Sequence, residues 1–245
     1  MPSSPMIVAH RGASRDAPEN TLASFTLGWR EGADAIEGDF RLTKDGRIAC
    51  IHDPDTQRVA GERLIVAEST LAELRSLDVG ACRGDEYRGC LIPTLAQVLA
   101  TVPEQKKIYV EIKCGNEIIP KLLDEIKESR LTPDQAVFIS FNAQLLKEIK
   151  RQAPKHKVFW LVDIRKDKAG HLSPPPGTVL ATLNRIHADG LSTSAGGVDK
   201  GFVDQIVAEG YEWHVWTVDD PKTAKRMAEM GARSITTNVP GIIGK

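Results

Sequence analysis

Two carboxylates stand one residue apart in the run Ala35-Ile36-Glu37-Gly38-Asp39-Phe40-Arg41. In a strand, the period of two sends Glu37 and Asp39 to the same face. Two like charges side by side on an interior strand are costly unless a cation neutralises them, and hard oxygen donors select Mg²⁺ or Ca²⁺ over softer metals. Taken by itself, the spacing also fits two acids facing solvent at a strand end. A third carboxylate stands in Lys107-Ile108-Tyr109-Val110-Glu111-Ile112-Lys113. Here Ile108, Val110 and Ile112 form an apolar face, while Tyr109, Glu111 and Lys113 form the opposite one. Glu111 and Lys113 would share a site near the strand's C-terminal end, or simply pair with each other.

Two histidines directly follow apolar runs, His10 in Val8-Ala9-His10-Arg11-Gly12 and His52 in Ala49-Cys50-Ile51-His52-Asp53. Either one alone reads equally well as a satisfied core residue or as a catalytic one. Beside three carboxylates, the pair suits phosphoester cleavage, in which one proton leaves the nucleophile and another reaches the departing oxygen. Arg11 and Lys113 supply fixed positive charge where the acids would otherwise repel an anion, and an arginine can grip phosphate through two parallel hydrogen bonds. His156, His171, His187 and His214 lack an adjoining carboxylate pattern and are expected to be structural. Trp216, at the end of an apolar run, either walls the site or belongs to the core.

These side chains must be carried by repeated βα units. Eight strand candidates are read at 7–9, 35–43, 108–113, 136–141, 158–162, 188–193, 211–218 and 233–238. Helical spacing lies between most of them, at 21–31, 94–102, 117–129, 143–152, 200–209 and 221–230. Asp220-Pro221 marks a helix start, and Glu209-Gly210 and Met230-Gly231 mark helix ends. The order predicts an α/β fold, a TIM (β/α)8 barrel, whose sites form at the C-terminal ends of the strands. The alternation breaks at 53–93, after the hairpin-like turn Lys44-Asp45-Gly46-Arg47; this segment reads as a small insertion following the second strand, with one short helix near 71–77. Pro174-Pro175-Pro176-Gly177 is expected to be a surface loop rather than a linker, and residues 1–245 read as a single domain.

The 245 residues are 41% hydrophobic and carry 32 Lys plus Arg against 33 Asp plus Glu, a net charge of -1. That balance leaves no basic field to gather nucleic acid, so an anion must be caught locally. No apolar run approaches the roughly 18 to 20 residues of a membrane-spanning helix, and stable membrane insertion is not expected. Residues 1–6 lack the basic and apolar regions of a leader, and Cys50, Cys82, Cys90 and Cys114 show no CxxC spacing. Together these predict a soluble cytoplasmic protein with reduced thiols. Oligomeric state leaves no trace in the sequence.

The ordered set His10-Arg11-Gly12, Pro18-Glu19-Asn20-Thr21, Glu37-Gly38-Asp39, Leu42-Thr43-Lys44-Asp45-Gly46, His52-Asp53, Glu111-Ile112-Lys113 and Trp216-Thr217-Val218 resembles the glycerophosphodiester phosphodiesterases. The resemblance spans nearly the whole chain and implies a TIM barrel with a small insertion after the second strand. It implies one divalent cation, Mg²⁺ or Ca²⁺, on Glu37, Asp39 and Glu111, with His10 and His52 as acid and base and Arg11 and Lys113 on the phosphate. The implied reaction is hydrolysis of a small glycerophosphodiester to sn-glycerol 3-phosphate and an alcohol, with water or the glycerol's own hydroxyl as nucleophile. Two departures stand out: Gly38 replaces a bulkier apolar residue, and Asn238 stands where Asp is common. A related lysophospholipase D-type barrel enzyme, acting on lysophospholipids, is the alternative, against which the short, charged insertion argues.

Overall fold

In the computed structural model, which describes residues 4–244, the period-two runs form strands. Residues 1–3 and 245, and with them part of the segment read above as no leader, lie outside the described residues. Strands β1 (Met6–His10), β2 (Ala35–Leu42), β4 (Lys107–Ile112), β5 (Ala136–Ser140), β6 (Val158–Val162), β9 (Gly190–Ser194), β10 (Glu212–Trp216) and β11 (Ser234–Thr237) pair in parallel. Because β1 pairs with both β2 and β11, the eight close into a barrel. Strand β3 (Ile48–Cys50) runs antiparallel to β2 across the Lys44–Arg47 turn, where Thr43 N donates to Arg47 O. A small hairpin, β7 (Arg165–Lys166) and β8 (Leu172–Ser173), lies outside the barrel.

Alternation divides the side chains as the sequence predicts. Ile108, Val110 and Ile112 face the helices, in a core that also buries Phe25, Phe40, Phe138, Phe202 and Trp213. Each such side chain, fully buried, contributes roughly 1.5–3 kcal/mol. Val8, Ala35, Tyr109, Val137, Ile139, Phe159 and Leu161 fill the barrel interior. A third cluster packs Val66, Leu74, Val79 and Ile92 of the 53–93 segment against Ala49 and Ile51. Register then decides which chemistry meets. His10 lies opposite Glu37, and Asp39 lies opposite Glu111.

The helices of the layer around the barrel are α1 (Leu22–Arg30), α4 (Leu95–Leu99), α5 (Ile119–Glu128), α6 (Ala143–Gln152), α7 (Pro176–Ile186), α8 (Lys200–Ala208) and α9 (Pro221–Met230). Helix α7 corrects the sequence reading, because Pro176 and Gly177 open a helix instead of continuing a loop. Proline is tolerated at a first helical position, where its missing N–H has no intrahelical partner to lose. Only Pro174 and Pro175 remain outside. The 53–93 segment holds two short helices rather than one, α2 (Gln57–Ala60) and α3 (Leu71–Leu74), plus 3₁₀ turns at Val66–Glu68 and Asp85–Tyr87. A last short helix, α10 (Pro240–Ile243), follows β11. Among the described residues no helix is long and apolar enough to cross a membrane, and none of the four cysteines is paired.

Candidate active site

The loop after β1 starts the site with an unusual backbone. Arg11 adopts φ 54° and Gly12 φ 81°. A Cβ on Gly12 would lie 2.4 Å from the Ser24 carbonyl carbon, so only glycine fits. Arg11 has no such freedom and is held by its neighbours: its N–H donates to Glu37 Oε2 at 2.9 Å, and its carbonyl accepts from Ser24 Oγ at 2.8 Å. Left-handed backbone at a non-glycine residue carries strain, which the surrounding bonds must offset. Asn20, at φ 57°, is a second case. It grips Asp39 twice, Nδ2 donating to Oδ2 at 2.8 Å and Oδ1 accepting from the Asp39 N–H at 3.1 Å.

Glu37, Asp39 and Glu111 are all buried, and one oxygen from each lies within 4.8 Å of the others. Burial, and then the neighbouring Asp39 and Glu111 charges, push the Glu37 carboxyl well above its ordinary range. Glu111 is pushed up to about 7, again chiefly by burial and then by Asp39. Burial also opposes the Asp39 charge, but Lys113 and Arg11 outweigh it and hold that carboxyl below its usual value. Lys113 Nζ bridges Glu111 and Asp39, 3.3 Å from the latter, and Arg11 Nε lies 3.3 Å from Asp39. Glu37 Oε1 is buried with no hydrogen-bond partner. Three converging acids, each with a buried oxygen outside any hydrogen bond and that of Glu37 without an ion pair as well, fit a hard divalent cation of the Mg²⁺ or Ca²⁺ kind.

The histidines are oriented differently. His10 Nδ1 meets Asn238 Oδ1 at 2.7 Å, and the same oxygen accepts from Ser14 Oγ at 2.8 Å. Asn238 Nδ2 donates to Asp219 Oδ2 at 2.6 Å. A carboxylate can only accept, so the amide orientation is fixed and His10 carries its Nδ1 proton toward Asn238. His52 Nδ1 meets a carboxylate directly, Asp53 Oδ1 at 2.6 Å, while Asp53 Oδ2 accepts from Arg58 Nε at 2.6 Å. Each ring therefore keeps Nε2 for other work. Burial is the main cause that lowers both imidazoles below their usual value. Arg41 ties the two loops together, donating from Nε and Nη2 to His52 O and from Nη1 to Lys113 O.

His10, His52, Arg11, Glu37, Glu111 and Lys113 line one cavity of about 180 Å³ at the C-terminal mouth of the barrel. Trp216 forms part of its wall and packs edge-on against Phe141, 5.7 Å between centroids. Asp39 lies beneath, buried behind Lys113 and Arg11. The structure thus brings His10, Arg11, Glu37, Asp39, His52, Glu111, Lys113 and Trp216 to one place. His214 departs from the reading in one respect: Glu212, two residues earlier on the same strand face, lies 3.4 Å from its Nε2. The ring is stacked on Phe159 deep in the barrel, which leaves it a structural group. Sequence reasoning missed Asn20, Arg41, Asp53, Asp219 and the hold of Asn238 on His10. Asp53 carried a usable signal, since it directly follows His52; Asp219 carried none, because only folding brings it to Asn238.

The sequence model of the glycerophosphoryl diester phosphodiesterase family matches residues 10–242. A glycerophosphodiester phosphodiesterase of Caldanaerobacter subterraneus is 31% identical over 240 residues, covering 96% of this chain and 94% of that protein. Another, from Bacillus altitudinis, is 30% identical over 241 residues, covering 96% and 94% respectively. A solved Oleispira antarctica phosphodiesterase, in complex with the product sn-glycerol-3-phosphate, aligns with a TM-score of 0.89 at 27% identity over 98% of this chain and 96% of that one. The fold, the mouth-of-barrel cluster and these relatives agree, and the chain belongs to the glycerophosphoryl diester phosphodiesterase family.

Proposed function

We propose that this chain hydrolyses small glycerophosphodiesters, such as glycerophosphocholine and glycerophosphoethanolamine, to sn-glycerol 3-phosphate and an alcohol. Such a reaction serves the breakdown of deacylated phospholipids and the supply of glycerol phosphate. The observation that carries the reading is the convergence of three buried carboxylates, two oriented histidines and two cations on one cavity. Residues 1–245 form one catalytic domain, with 53–93 as a small insertion within it. Unpaired cysteines support a reducing, cytoplasmic setting.

Glu37, Asp39 and Glu111 would hold one divalent cation, which when bound polarises the phosphoryl oxygen and offsets the growing negative charge. Lys113, anchored between Asp39 and Glu111, and Arg11, anchored to Asp39 and Glu19, present positive charge to the remaining phosphate oxygens. Their own ion pairs keep them in place before the substrate arrives.

His52 is the base. Asp53 stabilises the imidazolium that forms when Nε2 takes a proton from the nucleophile, whether water or a hydroxyl of the glycerol arm. His10, held at Nδ1 by a neutral amide, acts in its imidazolium form, donating the Nε2 proton to the departing alcohol oxygen as the phosphorus–oxygen bond breaks and keeping the Nδ1 proton on Asn238. Trp216 and Phe141 give the cavity an apolar wall. At about 180 Å³ the cavity is below the roughly 300 Å³ at which drug-sized pockets begin, which favours a small polar diester over a lysophospholipid.

The division of labour is tested with a nitrophenyl diester, whose leaving group needs no proton. His10→Ala and His52→Ala should each lower kcat/KM on the natural diester by about a hundredfold or more. On the nitrophenyl diester His10→Ala should recover and His52→Ala should not. Equal losses on both substrates for both variants would refute the assignment.

A further inference from the structure

His10 and Arg11 face more than the cavity that holds the acids. On their other side opens a recess of about 380 Å³ lined by Ser14, Arg15, Glu19, Arg83, Asp219 and Asn238. The two spaces meet at this pair and differ sharply in chemistry. One has the apolar walls Ile139, Phe141, Leu161 and Trp216, whereas the other is built of charged and amide groups. A phosphodiester has two arms that meet at phosphorus, so two spaces meeting at the phosphate-facing residues suit one arm each.

The charges of the recess are unevenly committed. Glu19 accepts from Arg11 at Oε1 and from Arg58 at both oxygens. Asp219 accepts from Thr237 Oγ1, the Asn238 N–H and Asn238 Nδ2. Both carboxylates are therefore largely consumed by the protein itself. The guanidinium groups are freer. Arg83 reaches over from the 53–93 segment and spends Nη2 on Ser14 O at 2.5 Å. Arg15 is 53% exposed, with Asp16 as its near charge at 3.6 Å. What the recess offers an incoming group is N–H donors and positive charge.

We infer that the alcohol arm of the diester enters this recess, and that Arg83 and Arg15 select head groups carrying hydroxyl or carboxylate oxygens over quaternary ammonium ones. The inference rests on the phosphodiesterase reading above and adds the class of its preferred substrates. A trimethylammonium head would meet three guanidinium charges, those of Arg11, Arg15 and Arg83, and no Phe, Tyr or Trp among the lining residues, the reverse of the aromatic surroundings that such cations favour. A serine or glycerol head instead brings acceptors that the guanidinium groups can bond. His10 lies between the two spaces, where a donor to the alcohol oxygen has to be.

The test measures kcat/KM for glycerophosphoserine, glycerophosphoglycerol and glycerophosphocholine on the same preparations of wild type, Arg83→Gln, Arg83→Lys and Arg15→Gln. A ratio of two substrates in one preparation does not depend on the folded fraction. In wild type the serine-to-choline ratio should exceed roughly ten, about the discrimination of one charge-assisted hydrogen bond. It should fall by roughly that factor in Arg83→Gln, fall in Arg15→Gln, and be partly retained in Arg83→Lys, which keeps the charge. The glycerol diester should follow the serine one. A wild-type preference for choline, or a ratio that Arg83→Gln leaves unchanged while all rates drop together, would overturn the inference and leave the phosphodiesterase reading intact. Turnover of none of the three diesters would overturn both.

Discussion

Replacing Asp53 with Asn removes one charge from the pair that serves His52 and leaves the side chain's shape almost unchanged. The carboxylate sits 2.6 Å from His52 Nδ1 and 2.6 Å from Arg58 Nε, and its carboxyl is drawn down to about 2 from an ordinary 3.8 because the bonds from Arg58 and His52 outweigh its burial. Two effects follow. For stability, a depressed carboxyl contributes above its unfolded value and loses that contribution as pH falls toward the folded one. With solvent screening of this partly exposed pair, Asp53→Asn should therefore cost about 1 kcal/mol at neutral pH, a difference that shrinks as pH falls from 3.8 toward about 2. For catalysis, losing a charge-assisted hydrogen bond to the developing imidazolium is worth about 1.5–3 kcal/mol, or roughly 10- to 150-fold in kcat/KM. Because Asp53 raises the His52 imidazole against the lowering by burial, its removal should also move the rising limb of the pH–rate profile to lower pH. Urea unfolding at neutral pH and again from pH 3.8 down to about 2 reads the first effect, and kcat/KM on glycerophosphoethanolamine from about pH 5 to pH 9 reads the second. A variant with wild-type kcat/KM and an unmoved limb would refute the role given to Asp53.

Lys113→Ala should raise KM and lower kcat together, because its ammonium faces the phosphate in both ground and transition states; an unchanged kcat/KM would remove Lys113 from the site. Metal-free protein should hold protons on the acid cluster near neutrality, since Glu111 is pushed up from 4.5 to about 7. A raised carboxyl stabilises fully below its unfolded value and loses that contribution through its folded one, so the metal-free fold should weaken from pH 4.5 to about 7 and Mg²⁺ or Ca²⁺ should restore it. Between about pH 7 and pH 6, metal affinity should drop at least about fivefold from Glu111 alone. Calorimetry in buffers of different ionisation enthalpy would read the released protons, and pH-independent binding without proton release would count against the metal ligands.

The strands were legible as short runs that either alternate, as at Ile108 to Ile112, or are apolar throughout, as at Val158 to Val162, and the barrel followed from their number. Helix α7 was hidden because three consecutive prolines read as punctuation, although only the first two stand outside the helix. Glu37, Asp39, Glu111 and the two histidines were legible because charge interrupts apolar runs at a period that implies a face. Their supports were not. Asn20 holds Asp39 from 19 positions away, and Asp219 reaches His10 only through Asn238, so neither contact leaves a spacing pattern in the chain. The departure at Gly38 has a packing reason away from the acids: an added Cβ would meet Phe25 at 3.1 Å and Phe40 at 3.3 Å, on the helix side of the strand.

The central claim is that the acid cluster and the two histidines act together on a small glycerophosphodiester. Phosphorus NMR of purified protein with glycerophosphoethanolamine and, separately, lysophosphatidylcholine tests it most directly. Each substrate is incubated with Mg²⁺ or Ca²⁺, with EDTA, and with the Glu37→Gln variant. Expected are sn-glycerol 3-phosphate from the small diester in the presence of cation, little or no lysophosphatidic acid from the lysophospholipid, and loss of turnover with EDTA or Glu37→Gln while circular dichroism stays native. Full turnover in EDTA, or cleavage of the lysophospholipid in preference to the small diester, would contradict it.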